Sequence, residues 1–227
     1  MKNFIQAVQT DINAAFERDP AANNKLEIIL CYPGFHAIFI HRISHFIFKK
    51  GLKLVSRFLS HLSRLLTGIE IHPGAQIDNG FFIDHGMGVV IGETAIIGEN
   101  CTIYHGVTLG GVSLKKEKRH PTLEDNVLVG VGARILGPYK IGSGSRIGAG
   151  SVVISDVPSD CTVVGVPARI VSRLSKDHNE DQKEISFEHD ELPDPIQNSI
   201  QNLDNRIQDL EKKIKDGENP SQWKESI

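Results

Sequence analysis

The sequence predicts an α+β fold in three zones: a helical N-terminal region over residues 1–67, a parallel β-helix of hexapeptide repeats over 68–171, and a helical C-terminal tail. Three observations carry that prediction. Of the 21 glycines in the 227 residues, 18 fall between Gly68 and Gly165. Over the same stretch, aliphatic residues recur at every sixth position. Beyond residue 195, Ile and Leu recur at alternating steps of four and three.

The first zone lacks the alternation of strands. Phe4, Val8, Ile12 and Ala15 hold helical spacing up to the break at Asp19-Pro20, and Pro33-Gly34 marks a turn. Ile38, His41, Arg42, His45 and Phe46 keep the spacing until Gly51, and an amphipathic stretch runs from Leu52 to Leu66. His41 and His45, at i and i+4, read as helix-surface residues, because no third metal ligand follows nearby.

In the middle zone Ile71, Ile77 and Ile83 step by six. After a two-residue slip near Gly86–Val90 the step resumes at Ile91, Ile97, Ile103 and Leu109. After Gly111–Thr122, an excursion loop rich in Lys, Arg and His, it continues through Val129, Ile135, Ile141, Ile147 and Val153. Most of these are followed four positions later by a small residue, as at Ala95, Cys101, Ala133, Ser145 and Ser151. A period of six is no helix face. It predicts a coil with three flat sides and roughly four turns, the aliphatic of each side pointing inward and stacking on its counterpart one coil away. Glycines serve the corners, where bulky side chains or positive φ are costly. Such a stack hides its core only between neighbours, so its ends need caps, and the N-terminal helices can supply one.

The acidic, polar residues 172–195 read as a linker. In the tail, 196–227, Ile196, Ile200, Leu203, Ile207, Leu210 and Ile214 form a three-heptad seam with Ile at a and Leu at d, a pattern that favours two strands. Charge follows the same division. Residues 1–171 carry 17 Lys+Arg against 14 Asp+Glu, whereas 172–227 carry 8 against 14. A body this weakly basic suits a small anionic ligand and excludes nucleic acid as a partner. No run approaches the ~20 apolar residues of a membrane span. The N-terminal MKNFIQAVQTD does not read as a signal peptide, and Cys31, Cys101 and Cys161 are odd in number with no CxxC spacing. These features predict a reduced, cytoplasmic protein without a membrane partner.

Repeat residues serve stacking, so polar residues that break the repeat are the candidates for chemistry. Three clusters qualify: Glu70-Ile71-His72-Pro73, Ile83-Asp84-His85-Gly86 at the slip, and Arg119-His120-Pro121 at the base of the excursion loop. A histidine is the natural general base near neutral pH, and a carboxylate beside it fixes its tautomer and stabilises the imidazolium. Glu70 precedes His85 by fifteen residues, less than one coil of eighteen, which predicts proximity. An Arg beside a second His suits capture of a carboxylate. His72 and His105 read as solvent-facing turn residues. No GxxxxGK loop is present, which argues against a nucleoside triphosphate.

Taken together, Ile-Glu-Ile-His-Pro-Gly-Ala (69–75), Ile-Asp-His-Gly (83–86), Val-Ile-Gly-Glu-Thr-Ala (90–95), Val-Thr-Leu-Gly-Gly (107–111), Arg-His-Pro (119–121) and Gly-Val-Pro-Ala-Arg-Ile-Val (165–171) resemble the serine O-acetyltransferase family. Glu-Arg-Asp-Pro-Ala (17–21) and Gly-Phe-His-Ala (34–37) resemble its helical region. The resemblance implies a left-handed β-helix and transfer of acetyl from acetyl-CoA to the hydroxyl of L-serine, giving O-acetylserine for cysteine synthesis. It implies His85 as the base for direct attack on the thioester, with Glu70, more often Asp in the family, as supporting acid. Arg119 and His120 would hold the serine carboxylate, His120 counting also among the catalytic groups, while Asp19 and Asp84 would face the ammonium. Gly111, Val131, Arg146 and Ala149 would line the CoA groove, with acetyl-CoA a co-substrate and neither a tightly bound cofactor nor a metal required. The family further implies a homotrimer or a dimer of trimers, with a site assembled from two subunits. It implies inhibition by L-cysteine, and capture of the C-terminal Ile227 by O-acetylserine sulfhydrylase.

Competing readings remain at this level. An acetyltransferase for a sugar or xenobiotic shares the repeat but has no need of Arg119-His120 together with Asp19 and Asp84. A zinc-dependent carbonic anhydrase would need three converging histidines, for which His85, His105 and His120 are numerically available, yet no second His follows His120 closely. A non-enzymatic scaffold for the sulfhydrylase would have no use for His85 and Glu70.

Overall fold

Four helices open the chain in the computed structural model, which describes residues 2–173 and 204–208. They are α1 (Lys2–Arg18), α2 (Lys25–Cys31), α3 (Pro33–Lys49) and α4 (Lys53–Thr67). The helix α2 is too short for its periodicity to show in the sequence. Asn24 caps it, its side chain accepting from the Glu27 N–H at 3.0 Å. Pro33-Gly34, expected to be a turn, instead begins α3: Pro33 stands at the first helical position, where its missing N–H costs nothing. In α4 the amphipathic stretch is inverted. Ser56, Ser60, Ser63 and Thr67 face inward, the Ser60 hydroxyl donating to the Ile71 carbonyl at 2.5 Å, while Leu54, Phe58, Leu65 and Leu66 are exposed. Gly68, at φ 72°, closes α4 in the left-handed conformation.

The strands that follow are mostly two residues long and deal in rotation onto three sheets. The first sheet holds β1 (Glu70–Ile71), β4 (Val90–Ile91), β7 (Thr108–Gly110), β10 (Arg134–Leu136) and β13 (Val152–Val153). The second holds β2 (Gln76–Ile77), β5 (Ile96–Ile97), β8 (Thr122–Leu123) and β11 (Lys140–Ile141). The third holds β3 (Phe82–Ile83), β6 (Thr102–Ile103), β9 (Leu128–Val129), β12 (Arg146–Ile147) and β14 (Cys161–Gly165), closed by β15 (Ala168–Arg173). All pairings are parallel except β14 with β15, so the coil ends in an antiparallel hairpin rather than a further turn.

Strand register accounts for both interruptions of the repeat. Val90 pairs with Thr108 and Arg134 with Val152, eighteen residues apart as three hexads require. Glu70 pairs with Val90, twenty apart, so the two-residue slip is absorbed in the first coil. Thr108 pairs with Arg134 across the excursion loop, which leaves the stack without disturbing the register on either side. The lead aliphatics are the core. Ile91, Leu109, Ile135 and Val153 stack behind the first sheet, Ile97, Leu123 and Ile141 behind the second, and Ile83, Ile103, Val129, Ile147 and Val163 behind the third, all buried. Ala75, Ala95, Cys101, Ala133, Ser145 and Ser151 fill the tight corners.

Glycine does not hold every corner. Between the second and third sheets, Gly80, Asn100, Asn126, Gly144 and Asp160 all adopt positive φ, and each of the last four donates its N–H to the coil before it. Asn and Asp tolerate this conformation better than other side chains. Among the described non-glycine residues, positive φ is otherwise confined to His85, at 57°.

The helices are fastened to the first coils by buried charge and by close approach. Asp11 accepts from Arg42 at 2.8 and 2.9 Å and from the Gly80 N–H at 2.9 Å. Arg18 donates to the Gly80 and Cys101 carbonyls and to Thr102. A Cβ at Gly34 would overlap the Ile83 carbonyl, so glycine there lets α3 lie directly against β3. His41 is not a helix-surface residue as expected. It is 4% exposed, its Nδ1 lacks a partner, and burial lowers its pKa to about 3, so it is neutral. His45 donates from Nδ1 to the Pro73 carbonyl at 2.8 Å, which puts a ring proton on that nitrogen.

Residues 204–208, which belong to a separate unit spanning Pro193–Ile227, are helical, and the Gln208 amide donates to Asp204 at 2.9 Å. The remainder of the acidic linker and heptad seam lies outside the described residues, and so does Ile227. Among the described residues no single helix is long and apolar enough to cross a membrane; α2 and α3 pass that test only as a pair bent by 72°.

Candidate active site

The candidate residues gather at two corners of the prism, with opposite charge. The first lies where the third sheet turns into the first, directly after β3. Asp84 ends the strand, and His85 and Gly86 follow with φ of 57° and 77°. Two consecutive left-handed residues lift the His85 ring off the coil, leaving it 74% exposed, at a cost on the order of 1–3 kcal/mol in backbone strain. Strain of this kind persists where the surroundings enforce it, and α3 packs against Ile83 immediately before. The His85 Nε2 stands 3.8 Å from Asp84 Oδ1, and its ring meets that of His105 edge-on at 5.9 Å.

Asp19 reaches the same corner from the end of α1. Tyr32, between α2 and α3, donates its hydroxyl to Asp19 Oδ2 at 2.6 Å, and the Ala21 N–H binds Oδ1 at 2.8 Å. Burial raises the Asp84 carboxyl above its ordinary range and the neighbouring Asp19 charge adds to this, while His85 and His105 pull the other way. The same two carboxylates, after burial, raise the Tyr104 phenol. Two carboxylates that repel each other beside an exposed imidazole make a site for a small cation with a protonatable neighbour.

The second corner joins the first sheet to the second, where the excursion loop leaves after β7 and returns before β8. Arg119 donates to Glu93 at 2.8 Å, and Lys118 donates to the Thr94 carbonyl at 2.6 Å. His120 is 8% exposed, with Nδ1 at 2.9 Å from the Thr94 hydroxyl. Burial, then the Arg119 charge, lowers the His120 pKa, so the ring is a neutral donor beside a guanidinium, a pairing that suits an anion. A Cβ at Gly92 would overlap the His120 ring, and one at Gly111 would sit 3.1 Å from its Nε2. Both glycines are therefore what gives that ring its room.

The structure unites some predicted residues and separates others. Asp19, Asp84 and His85 share one corner; Arg119, His120 and Gly111 share another. Val131 and Ala149 lie on the first corner, one and two coils beyond His105: Gly132 donates its N–H to the His105 carbonyl and Gly150 to that of Val131. Both are exposed there, while Arg146 is half-buried on the adjoining third sheet. Glu70 meets Arg64, at 2.9 Å, on the far side of β1 from the coil core, and the carboxylate measured against His85 is that of Asp84. His72, expected to face solvent, is half-buried; its Nδ1 accepts from the Gly74 N–H at 2.9 Å, and burial brings its pKa to about 4. Among the described residues, no three His, Cys, Asp or Glu are arranged to hold a metal ion.

Four participants were not singled out from sequence: Tyr32, Glu93, Thr94 and Tyr104. Glu93 and Thr94 carried a signal, as adjacent polar residues inside a motif that otherwise reads as repeat. Tyr32 carried none, because the helices alone bring Asp19 to it; Tyr104 follows Ile103, which pairs with Ile83, so the coil register sets it beside Asp84 across the two-residue slip.

Known proteins with this pattern are consistent in kind. The family profile described as "Serine acetyltransferase, N-terminal" matches residues 1–39, and that of the hexapeptide repeat of succinyl-transferase matches 88–112 and 122–155. A serine acetyltransferase of Synechococcus elongatus is 52% identical over 200 residues, covering 88% of this chain and 80% of that protein. The Neisseria gonorrhoeae serine acetyltransferase in complex with serine superposes with a TM-score of 0.72 at 46% identity, over 74% of this chain and 69% of that one. The Brucella abortus enzyme in complex with coenzyme A gives 0.75 at 42%, over 77% and 70%. A serine acetyltransferase in complex with cysteine gives 0.74 at 40%, over 75% and 71%.

Proposed function

Because the chain belongs to the serine acetyltransferase family, we propose that it transfers acetyl from acetyl-CoA to the hydroxyl of L-serine, yielding O-acetylserine and CoA. The observation that carries this reading is the docking of Asp19 beside Asp84 and His85: two carboxylates and an exposed imidazole on one edge of the prism suit an ammonium group and a hydroxyl proton. In this reading His85 takes the hydroxyl proton as the serine oxygen attacks the thioester carbonyl. The tetrahedral intermediate expels the CoA sulfur, which receives the proton back from His85, so no acyl-enzyme forms. Glu70 acts as supporting acid, with its rotamer held by Arg64. Asp19 and Asp84 face the ammonium, and Arg119 and His120 hold the carboxylate.

The two half-sites occupy different corners of one prism, and so do Gly111 and the Val131–Ala149 edge of the proposed CoA groove. A homotrimer of left-handed coils resolves both separations, since the first corner of one chain then meets the second corner of the next. Pairing of trimers is the alternative assembly. L-Cysteine, which keeps the zwitterion and replaces hydroxyl with thiol, competes for the same groups as an inhibitor, and the product feeds cysteine synthesis in the cytoplasm. The test is direct. Purified protein mixed with acetyl-CoA and L-serine, with CoA thiol followed by a disulfide reagent, should show serine-dependent release; no release, or release with a sugar instead, would overturn the assignment.

Ile227 is proposed as the residue that enters the site of O-acetylserine sulfhydrylase. Its deletion should abolish binding to the sulfhydrylase in a titration while leaving serine-dependent CoA release intact. Unchanged binding would rule the tail out as the contact.

A further inference from the structure

Thr94 stands in the turn between β4 and β5, and the proposed reaction gives it no contact with substrate. Its hydroxyl oxygen lies 3.0 Å from the Arg119 backbone nitrogen, 3.1 Å from that of His120, and 2.9 Å from His120 Nδ1. A threonine hydroxyl has two lone pairs and one hydrogen. The two backbone N–H groups take the lone pairs, so the hydrogen goes to Nδ1. The Thr94 backbone N–H points at the same Nδ1 from 3.2 Å. An imidazole nitrogen receiving two donors carries no proton of its own, which puts the ring proton of neutral His120 on Nε2. That atom lies between Gly92 and Gly111, where an added Cβ would overlap it at the first and come within 3.1 Å of it at the second. The lowered pKa of His120 keeps the ring neutral, the one state in which choice of tautomer matters.

We propose that Thr94 is a positioning residue: it locks His120 in the Nε2–H tautomer and pins the return of the excursion loop, so that Arg119 and His120 present donors together to a substrate carboxylate. This rests on the reading of Arg119 and His120 as the carboxylate-binding pair. The same turn is held from its other side by Arg119 on Glu93 and Lys118 on the Thr94 carbonyl, so the hydroxyl, the shorter of the two Thr94 contacts to Nδ1, is the side-chain group that acts on the ring.

The test pairs Thr94→Val, nearly isosteric but without the hydroxyl, with Thr94→Ser, which keeps it. Long-range proton–nitrogen correlation of the His120 ring, assigned by its loss in His120→Gln, should show a single Nε2–H tautomer in the parent and in Thr94→Ser. It should show a mixed or Nδ1–H ring in Thr94→Val. The serine KM should rise by about tenfold in Thr94→Val, the loss of roughly one hydrogen bond to a charged group. The acetyl-CoA KM should be unchanged, and Thr94→Ser should restore the serine KM. An unaltered tautomer in Thr94→Val overturns the proposal. So does a rise in both KM values together with a lowered melting temperature, which would mark a purely structural role. If Arg119→Ala leaves the serine KM unchanged, the carboxylate reading itself is wrong; the ring spectrum separates that failure from failure of the lock.

Discussion

His85→Ala should lower serine-dependent CoA release by about 10²–10⁴-fold, the range over which positioned general bases act, while acetyl-CoA binding stays within experimental error of the parent. The side chain is three-quarters exposed and makes little contact with the core, so its removal should leave the coil intact. Alanine at φ 57° carries its own backbone cost, of roughly 1–2 kcal/mol. His85→Asn therefore serves as the second variant, because asparagine accepts the left-handed conformation and cannot act as a base. Equal losses in the two variants assign the effect to the imidazole. Activity within tenfold of the parent in His85→Asn would remove His85 as the base. A loss in Ala alone would point to the backbone turn.

Asp11→Ala should destabilise the protein by about 3–5 kcal/mol, the cost of leaving one member of a buried ion pair behind. Asp11 is 3% exposed, and its carboxylate is the common acceptor for Arg42 and the Gly80 N–H. Burial raises its pKa while Arg42 and the backbone donors oppose the shift, so the net worth of the intact pair is small even though breaking it is costly. Arg42 also donates to the Asp78 carbonyl at 3.0 Å, which ties α1 and α3 to one corner of the first coil. In thermal unfolding this amounts to a fall of about 6–20 °C for a chain of this size. The double variant Asp11→Leu with Arg42→Met should recover much of the loss, since no charge is then stranded. An unchanged midpoint in Asp11→Ala would show that the staple is not what holds the helices down.

How much was legible in the sequence differs from element to element. The sheets were legible because each inward residue repeats one coil on: Ile91, Leu109, Ile135 and Val153 sit in one ladder and obey one rule. Both breaks in that rule marked polar clusters, Asp84-His85 at one and Arg119-His120 at the other. The helix α2 was missed because seven residues make too short a period to read. The burial of His41 and the inverted face of α4 were missed for a related reason. A helix's own pattern says that it has two faces, and only its neighbour says which is inside.

The sequence alone determined the three-sided coil and the residues that interrupt it, because a local repeat dictates its own stacking through contacts between residues eighteen apart. The tertiary structure alone decided how those residues are grouped. It set Asp19 and Tyr32 beside Asp84, through helices docked by Asp11, Arg42 and Gly34; it turned Glu70 to Arg64; and it put His85 and His120 on different corners. Those outcomes depend on where separate elements come to rest against one another, through buried charge and close backbone approach at long sequence separation, and no periodicity along the chain encodes them.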